Sequence, residues 1–407
     1  MRPVRLRPAL LITLFVLVAA VPGLAAKGKP IAADHPFVKF LARTAVQRGR
    51  EHRALLVYPI AREEADPKDV TRFATATEAH QKKRLSVGEP EKKPGRGPID
   101  LFNWSTEPIL ILSGEVFTGG HRDRFLSRDV LIAPGSRVKA PAYVADKKPR
   151  KKDEAEKSLK PVNVLAPDLL RLIALIEGPA ARAREVLSDQ FVMAGDNNPR
   201  QPLSELYRAK LLGPRSLEYR TVYGAIPDEA AKKTIGFAAL VGDRLVGIEL
   251  FGTNAEFRAH WPKILDTLAF EAALYEAAYG LLGQPFPPGR DPDRHLVPMK
   301  ERMKKLYAAT VTPEKAIGLG TELLLSRDDL VGRLLLHEKK LVHATVLLDS
   351  VTATAPDLPP PPPPAGGEVS PGELERRAER SRLTEYERRL LERMRKRRAA
   401  KPPVKPE

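Results

Sequence analysis

Residues 112–129, L-S-G-E-V-F-T-G-G-H-R-D-R-F-L-S-R-D, decide how the first half of this chain folds. Two apolar runs, residues 109–112 and 130–133, flank the stretch, and their leucines and β-branched residues are typical of buried strands. The adjacent glycines within the stretch favour a tight turn between two further strands. The sequence therefore predicts an antiparallel, β-rich first half that is built around a Gly-Gly hairpin.

The same stretch combines charged side chains with conformationally free glycines. Guanidinium groups bind phosphate or carboxylate through paired hydrogen bonds, and glycines let backbone N–H groups approach an anion closely. We therefore predict a site for an anionic ligand, formed by Glu115, Gly119, Gly120, Arg122, Asp123 and Arg124. A structural alternative is a plain hairpin turn in which Glu115 and Arg124 pair across the strands. Glu115 and Asp123 are also candidate catalytic groups, because neighbouring carboxylates can have their pKa values driven apart.

The second half of the chain has the pattern of helices combined with two more hairpins. Asn254 precedes a helix predicted over residues 255–282, and residues 235–251 and 331–348 each hold two apolar runs joined by a short turn. We predict that the two hairpins lie in one sheet and that the long helix covers one of its faces. The predicted fold class is α+β, with both halves sharing one core in a single domain over residues 34–350.

The two ends of the chain are predicted to lie outside this domain. Residues 1–26 have the basic, apolar and small-residue regions of a secretory signal peptide, so we expect a cleaved, periplasmic or secreted protein. An uncleaved membrane anchor is the alternative, although the apolar run is shorter than the roughly 20 residues that a span needs. Residues 356–372 are predicted to be a proline-rich linker, residues 373–398 a basic C-terminal helix, and residues 399–407 a disordered tail.

Composition narrows the choice of partners and of chemistry. The formal charge is +17, with 68 Lys and Arg against 51 Asp and Glu, which favours anionic partners. Two interpretations of residues 373–398 stay open: a solvated helix, or a helix that contacts anionic lipid, a cell-wall polymer or a protein. No specific nucleic-acid binding is expected. The chain has no cysteine, which excludes thiol nucleophiles and cysteine-ligated metals. We expect no cofactor and no metal site, and we predict a solvated loop over the charged residues 147–161.

Several segments, taken in order, resemble one protein family. They are L-S-G-E-V-F-T-G-G-H-R-D-R-F-L, V-L-I-A-P-G-S, V-G-D-R-L-V-G-I-E-L-F-G, F-R-A-H-W-P-K-I-L and the L-V-H that ends at His343. Together they resemble the ARG and rhodanese-phosphatase-superfamily-associated protein domain, in which ARG stands for ADP-ribosylglycohydrolase. The resemblance covers about residues 55–348, and its specificity comes from the order and spacing of the segments.

The resemblance implies a module that binds or senses nucleotide-derived ligands, and no established catalytic residues come with it. By position, the family's glutamate, paired glycines and asparagine-arginine fall on Glu115, Gly119, Gly120, Asp123 and Arg124, and its second-half residues fall on Gly242, Phe251 and Trp261. Trp261 and His343 are the candidate contributors from the second half. Two departures matter: Asp123 replaces the family's asparagine, and the family's cysteine-glutamate segment is replaced near Tyr143, so any role of that cysteine is absent.

Three functions remain open from the sequence. The leading one is an exported ligand-binding or sensing module for an anionic, nucleotide- or ADP-ribose-derived small molecule, without catalytic activity. The first alternative is a hydrolase of a phosphorylated or ADP-ribose-like compound, with Glu115 as the base. The second alternative is a cell-envelope interaction protein that acts through its basic tail.

Overall fold

A computed structural model describes most of the predicted domain. The described residues are 28–66, 72–90, 95, 97–146, 149–151, 155–156, 158–177, 180–193, 203–207, 213–242, 244–281, 291–327 and 330–348. The predicted signal peptide, proline-rich linker, C-terminal helix and tail lie outside these residues and stay predictions. Contacts along the chain divide it into two units after Pro356, and the second unit lies wholly outside the described residues. Within the described ranges, no helix is both long and apolar enough to cross a membrane.

The described chain contains helices and strands in alternating groups. The helices are α1 (Pro36–Leu41), α2 (Ala76–Gln81), α3 (Asp168–Leu175), α4 (Ala180–Met193), α5 (Leu203–Leu206), α6 (Gly213–Tyr223), α7 (Glu229–Lys232), α8 (Asn254–Leu281) and α9 (Pro292–Lys305). The strands are β1 (Lys29–Pro30), β2 (Thr44–Val46), β3 (Arg50–His52), β4 (Leu55–Arg62), β5 (Ala74–Thr75), β6 (Leu85–Gly88), β7 (Ile99–Asn103), β8 (Ile109–Ile111), β9 (Glu115–Gly119), β10 (Arg124–Leu126), β11 (Val130–Ile132), β12 (Arg137–Ala140), β13 (Ala142–Val144), β14 (Leu159–Leu165), β15 (Thr234–Val241), β16 (Arg244–Phe251), β17 (Thr310–Glu314), β18 (Ile317–Gly318), β19 (Thr321–Arg327), β20 (Leu330–His337) and β21 (Lys340–Leu348). The α+β prediction is confirmed.

A large antiparallel sheet forms the centre of the fold. Its strand order is β1-β17-β19-β20-β21-β16-β15-β4-β2, and β3 also pairs with β4. The hairpins β15–β16 and β20–β21 lie side by side in this sheet, because β16 pairs with β21. Each hairpin has a two-residue turn and a bulge at the corresponding position, after Ala239 in one and after Leu335 in the other.

Helices cover both faces of the large sheet. Side chains alternate between the faces of a strand, so Val57 packs in the cluster that contains Trp261 of α8, whereas Tyr58 packs with Phe37 of α1 and Met299 of α9. Because both faces are buried, the central strands are apolar along almost their whole length rather than alternately polar. The Trp261 cluster also contains residues of both halves of the chain, so the two halves share a core.

The short strands of the first half form three sheets rather than the single antiparallel layer that the sequence suggested. Their orders are β13-β10-β9-β14, β18-β11-β8-β5 and β12-β7-β6. The second of these contains two parallel pairs, β5 with β8 and β11 with β18. Because β18 comes from the second half of the chain, this small sheet joins the two halves, and no local pattern in the first half could have indicated it.

The predicted Gly-Gly hairpin is present. Strands β9 and β10 pair antiparallel, with Arg124 opposite Phe117, and residues 120–123 form the connection. Gly119 and Gly120 have φ angles of 99° and 54°, in the left-handed region that favours glycine. Contacts also restrict Gly119, because a Cβ atom there would lie 2.8 Å from the carbonyl oxygen of Ser158. The backbone therefore requires glycine at position 119 and favours it at position 120.

Candidate functional site

The connection between β9 and β10 carries a group of charged side chains that we call the tip cluster. Its members are Glu89, His121, Arg122, Asp123, Arg124, Asp146 and Arg150. The structure thus brings together five of the six residues predicted for the ligand site, since Gly119 and Gly120 form the backbone of the same turn.

Asp123 lies at the centre of the tip cluster and is fully buried. Its Oδ1 accepts hydrogen bonds from Arg150 Nη2 at 2.6 Å and from Thr118 Oγ1 at 2.8 Å. Its Oδ2 has no hydrogen-bond partner among the described residues. Burial raises the pKa of Asp123, although the nearby Arg150 opposes the shift. An unpaired carboxylate oxygen in this position can accept a further hydrogen bond.

Arg124 is a buried cation that forms no ion pair within the described part of the chain. Only 1% of the residue is exposed, and its donors reach the backbone oxygens of Gly97, Ala142 and Tyr143. Its Nη1 has no hydrogen-bond partner there. Burial lowers the pKa of Arg124, and the more distant Glu89 and Asp146 only partly oppose that effect. Burying a charge without a close counterion costs free energy of folding. Arg124 is therefore the residue of the cluster that would gain most from an anionic partner.

Arg122 and Arg150 are the partly exposed cations of the cluster. Arg122 Nη1 lies 3.2 Å from Asp146 Oδ1, and Arg150 Nη1 donates to the carbonyl oxygen of Gly119 at 2.9 Å. Their side chains are 21% and 23% exposed, so solvent or a ligand can reach them. Burial raises the pKa of Asp146 to about 6, although the hydrogen bond from the N–H of Asp123 and the charge of Arg122 both lower it.

Glu89 is the acid that contacts the glycine turn. Its Oε2 accepts the backbone N–H of His121 at 2.8 Å and lies 2.9 Å from His121 Nδ1. Its Oε1 has no hydrogen-bond partner among the described residues. A Cβ atom on Gly120 would lie 2.8 Å from the Glu89 carboxyl group, so only glycine allows this approach.

Glu115 lies at the opposite end of β9 from the turn. The residue is fully buried, and its Oε1 is 2.7 Å from Lys263 Nζ of α8, which is itself 1% exposed. The structural alternative of a Glu115–Arg124 pair is therefore wrong, since each side chain has other partners. The structure does not bring Glu115 together with Asp123. Asp123 contacts Thr118, which is three residues further along β9 than Glu115, and three residues of strand span roughly 10 Å.

His343 lies in a buried network that links the two halves of the chain. Its Nδ1 is 2.7 Å from Asp129 Oδ2, its Nε2 is 2.6 Å from Glu249 Oε2, and Arg171 Nη2 is 2.5 Å from Glu249 Oε1. Burial lowers the pKa of His343, but the two carboxylates outweigh it and raise the pKa to about 9. The imidazolium therefore donates to both acids, and the four charges balance.

A second buried network joins the same two halves. Arg128 Nε donates to Glu322 Oε2 at 2.8 Å, and Arg333 Nη1 lies 3.2 Å from Glu322 Oε1. Together with the Glu115–Lys263 and Asp129–His343 pairs, this network means that three charged residues of 112–129 bind partners in the second half. The base of the central stretch is thus joined by ion pairs to the second half, whereas Arg122 and Asp123 at the tip pair with Asp146 and Arg150 of the first half.

The remaining second-half candidate, Trp261, belongs to the core. It is 2% exposed, and its Nε1 donates to the carbonyl oxygen of Tyr223 at 3.1 Å. His260, the residue before Trp261 in α8, is fully buried and stacks on Phe251, and neither of its ring nitrogens has a hydrogen-bond partner among the described residues. Burial lowers the pKa of His260 well below its usual value, so the ring is neutral.

A small cavity adjoins the network of His343. Its volume is about 20 Å³, which is room for a water molecule or two rather than for a nucleotide. Among its lining residues are Arg171, Glu249, Thr267 and Glu271. In the part of the chain that the structure describes, no group of three or more His, Asp or Glu side chains is placed to hold a metal ion.

Several residues of these clusters were missed from the sequence. Arg150 lies in residues 147–161, and the prediction of a solvated loop is wrong there, because Arg150 binds Asp123 and β14 begins at Leu159. His343 was a candidate from the sequence, but its partner Glu249 was not. A usable signal exists for Glu249, because it is the one acid within the buried, apolar run of residues 245–251 in β16. Such a residue requires an internal partner.

These observations define an α+β protein whose hairpin tip carries a partly exposed cluster of charges, including a buried arginine that has no ion-pair partner among the described residues. The model of the ARG and Rhodanese-Phosphatase-superfamily-associated Protein domain matches residues 43–143 and 199–347, and the chain belongs to this family. No curated protein and no solved structure matches the chain significantly. Family membership accounts for the fold that surrounds the tip cluster, and it assigns no activity or ligand.

Proposed function

We propose that this protein is an exported ligand-binding or sensing module whose tip cluster binds a small anionic molecule. The observation that carries the proposal is Arg124, which is buried and lacks an ion-pair partner among the described residues. An anionic group of a ligand would supply the missing negative charge. Arg122 and Arg150 provide cations at the rim that solvent can reach.

The hydrolase alternative receives less support from the geometry. Its base was to be Glu115, and the buried ion pair with Lys263 leaves that carboxylate without access to a substrate. The envelope-interaction alternative depends on residues 373–398, which lie outside the described residues. We therefore keep ligand binding at the tip cluster as the leading proposal.

A thermal-shift screen of the full-length mature protein tests ligand binding. Candidate ligands are ADP-ribose, NAD, nucleoside phosphates and phosphorylated sugars, compared at one ionic strength. A ligand that binds only the folded state should stabilise it by about 2.7 kcal/mol at a hundredfold excess over its Kd. If none of these compounds and no simple carboxylate or phosphate raises the melting temperature, ligand binding at the tip is contradicted.

A matched pair of variants shows whether the ligand binds at the tip. Arg122→Gln removes a cation of the tip cluster, and Arg48→Gln removes the exposed arginine that pairs with Asp293 on another surface. The two ion pairs differ in burial, since Arg122 and Asp146 are 21% and 3% exposed, whereas Arg48 and Asp293 are 74% and 54% exposed. Arg48→Gln should therefore change stability by about 1 kcal/mol or less and Arg122→Gln by more, so the two variants are compared by ligand affinity in the folded protein. Only Arg122→Gln should weaken ligand binding. Equal ligand affinities in the two variants would place the ligand elsewhere.

Export is the second part of the proposal, and its support is the layout of residues 1–26. The mature protein, isolated from the cells that express it, should begin at Ala26 or Lys27. N-terminal sequencing of the exported fraction checks this. An intact Met1 on protein in the cytosolic fraction would contradict export.

A further inference from the structure

Glu89 occupies the place at the glycine turn where an external anion would bind. Its carboxylate accepts the His121 N–H at 2.8 Å and approaches Gly120 so closely that a Cβ atom would collide with it. Backbone N–H groups beside glycines of positive φ form the kind of concave turn that binds anions. The turn therefore already holds an anion, and that anion is a side chain of the protein.

Glu89 has few hydrogen bonds for a buried acid. Its side chain is 9% exposed, yet Oε1 has no hydrogen-bond partner among the described residues. It attracts the Arg124 guanidinium without forming an ion pair with it. An acid that satisfies only half of its hydrogen-bonding capacity can be displaced by a group that satisfies more.

The charges of the tip cluster indicate what would replace Glu89. Without Glu89, the arginines and acids of the cluster are three arginines, at positions 122, 124 and 150, and two aspartates, at positions 123 and 146. One positive charge is left over. A group with a single negative charge balances it, whereas a doubly charged group would exceed it and would also face the two aspartates.

We propose that the Glu89 carboxylate is a built-in competitor for the ligand site, and that the natural ligand presents a monoanionic carboxylate or phosphodiester group in its place. This inference rests on the proposed binding function and specifies its ligand class and its regulation. Binding then requires the Glu89 carboxylate to leave the His121 N–H. The measured affinity of the ligand is therefore the difference between its own binding free energy and that of the Glu89 carboxylate at the same place.

The test compares wild-type protein with Glu89→Gln, which keeps the shape of the side chain and removes its charge. The probes are sodium acetate and dimethyl phosphate as monoanions and sodium sulfate as the dianion, titrated at matched ionic strength and followed by thermal shift. Glu89→Gln should bind both monoanions about tenfold more tightly, which corresponds to about 1.4 kcal/mol. The control, Glu107→Gln, removes a 56% exposed carboxylate near Arg84 and should bind as the wild type does.

The outcomes separate this inference from the binding proposal. If the wild type and Glu89→Gln bind a monoanion with equal Kd, binding stands and the competitor role of Glu89 is overturned. If sulfate binds as tightly as acetate and dimethyl phosphate, the ligand class is overturned. If neither protein binds any probe, this inference is overturned, and the binding proposal is decided by the screen of nucleotides and phosphorylated sugars.

Glu89→Asp provides a second variant in case Glu89→Gln does not fold. The shorter side chain keeps the charge but draws the carboxylate away from the His121 N–H by about one carbon–carbon bond, roughly 1.5 Å. It should therefore bind acetate more tightly than the wild type, by about threefold. An unchanged acetate Kd in a folded Glu89→Asp protein would overturn the competitor role.

Discussion

Arg124 combines two properties that rarely occur together, because it is buried and charged and yet meets only backbone oxygens among the described residues. Its guanidinium donates to three carbonyl groups in two segments of the chain, Gly97 and the adjacent Ala142 and Tyr143 of β13. In the free protein the residue therefore links β10 to β13 and to Gly97, in addition to the ligand contact proposed for it. Two features of Arg124 change the free energy of unfolding in opposite directions. The hydrogen bonds to carbonyl oxygens stabilise the fold, and the buried charge without an ion-pair partner among the described residues destabilises it.

Arg124→Gln should destabilise the unliganded protein. The shorter, neutral side chain leaves buried carbonyl oxygens without donors, at a cost of about 1–3 kcal/mol. Urea unfolding at neutral pH measures the effect, with Arg48→Gln on the exposed surface as the control. A free energy of unfolding equal to that of the control would mean that the carbonyl contacts contribute nothing.

The network of His343 should make stability depend on pH in two directions. The pKa of His343 is raised from 6.5 to about 9, so its contribution is complete below pH 6.5 and is lost as the pH rises through 9. Burial raises the pKa of Glu249, but Arg171 and His343 outweigh it and lower the pKa from 4.5 to about 2. The contribution of Glu249 is therefore complete above pH 4.5 and is lost as the pH falls through 2.

Unfolding free energies between pH 6 and pH 9.5 test the histidine half of this prediction. The wild type should lose stability across that range, and His343→Gln should lose clearly less, because it has no proton to release. His337→Gln, at a half-buried position on the same hairpin, is the control and should follow the wild type. Parallel pH profiles for all three proteins would exclude a charged His343.

At the scale of elements, charged side chains fasten the central stretch to the large sheet and to α8. Glu115 of β9 and Lys263 of α8 are both almost completely buried, so neither can exchange its partner for water. Replacing a buried ion pair by apolar residues is often neutral, whereas removing one partner leaves an uncompensated charge. The pair therefore fixes how β9 is placed on α8 more than it adds to total stability.

Lys263→Met should destabilise the protein by about 3–5 kcal/mol, because it leaves the buried Glu115 carboxylate without its ion-pair partner. The double variant Glu115→Leu with Lys263→Met should recover much of that loss, which a double-mutant cycle in urea measures. Lys304→Met is the control, since Lys304 pairs with Glu301 on the surface and should cost about 0.5 kcal/mol or less. Additive effects of the two core substitutions would show that the pair is not coupled.

Local patterns in the sequence predicted most of the helices and strands. They did not predict which strands pair or which side chains meet. The Gly-Gly turn, the long helix and the strands of both later hairpins follow from short-range periodicity and turn residues, and the structure has each of them. The placement of β18 beside β11 and of Arg150 beside Asp123 depends on residues far apart in the chain. The same is true of the burial of Arg124, because a charged residue in a short strand can face either side.

At the scale of the whole molecule, the basic tail should be dispensable for the stability of the folded domain. A proline-rich spacer and a helix with few apolar residues bury little surface. Mature protein that ends before Pro359 should therefore melt within about 2 °C of the full-length mature protein in calorimetry. A loss of more than about 4 °C, on the order of 1 kcal/mol or more, would mean that the tail packs on the domain.

The central position of the paired hairpins in the large sheet has a consequence for how the molecule opens. Strands β15, β16 and β21 are paired on both edges and covered on both faces, whereas β1 and β2 lie at the ends of the sheet. Amide hydrogens of β15, β16 and β21 should therefore exchange with deuterium only when the whole domain unfolds. Mass spectrometry of exchanged peptides should find β1 and β2 labelled early, while the two hairpins keep their hydrogens longest.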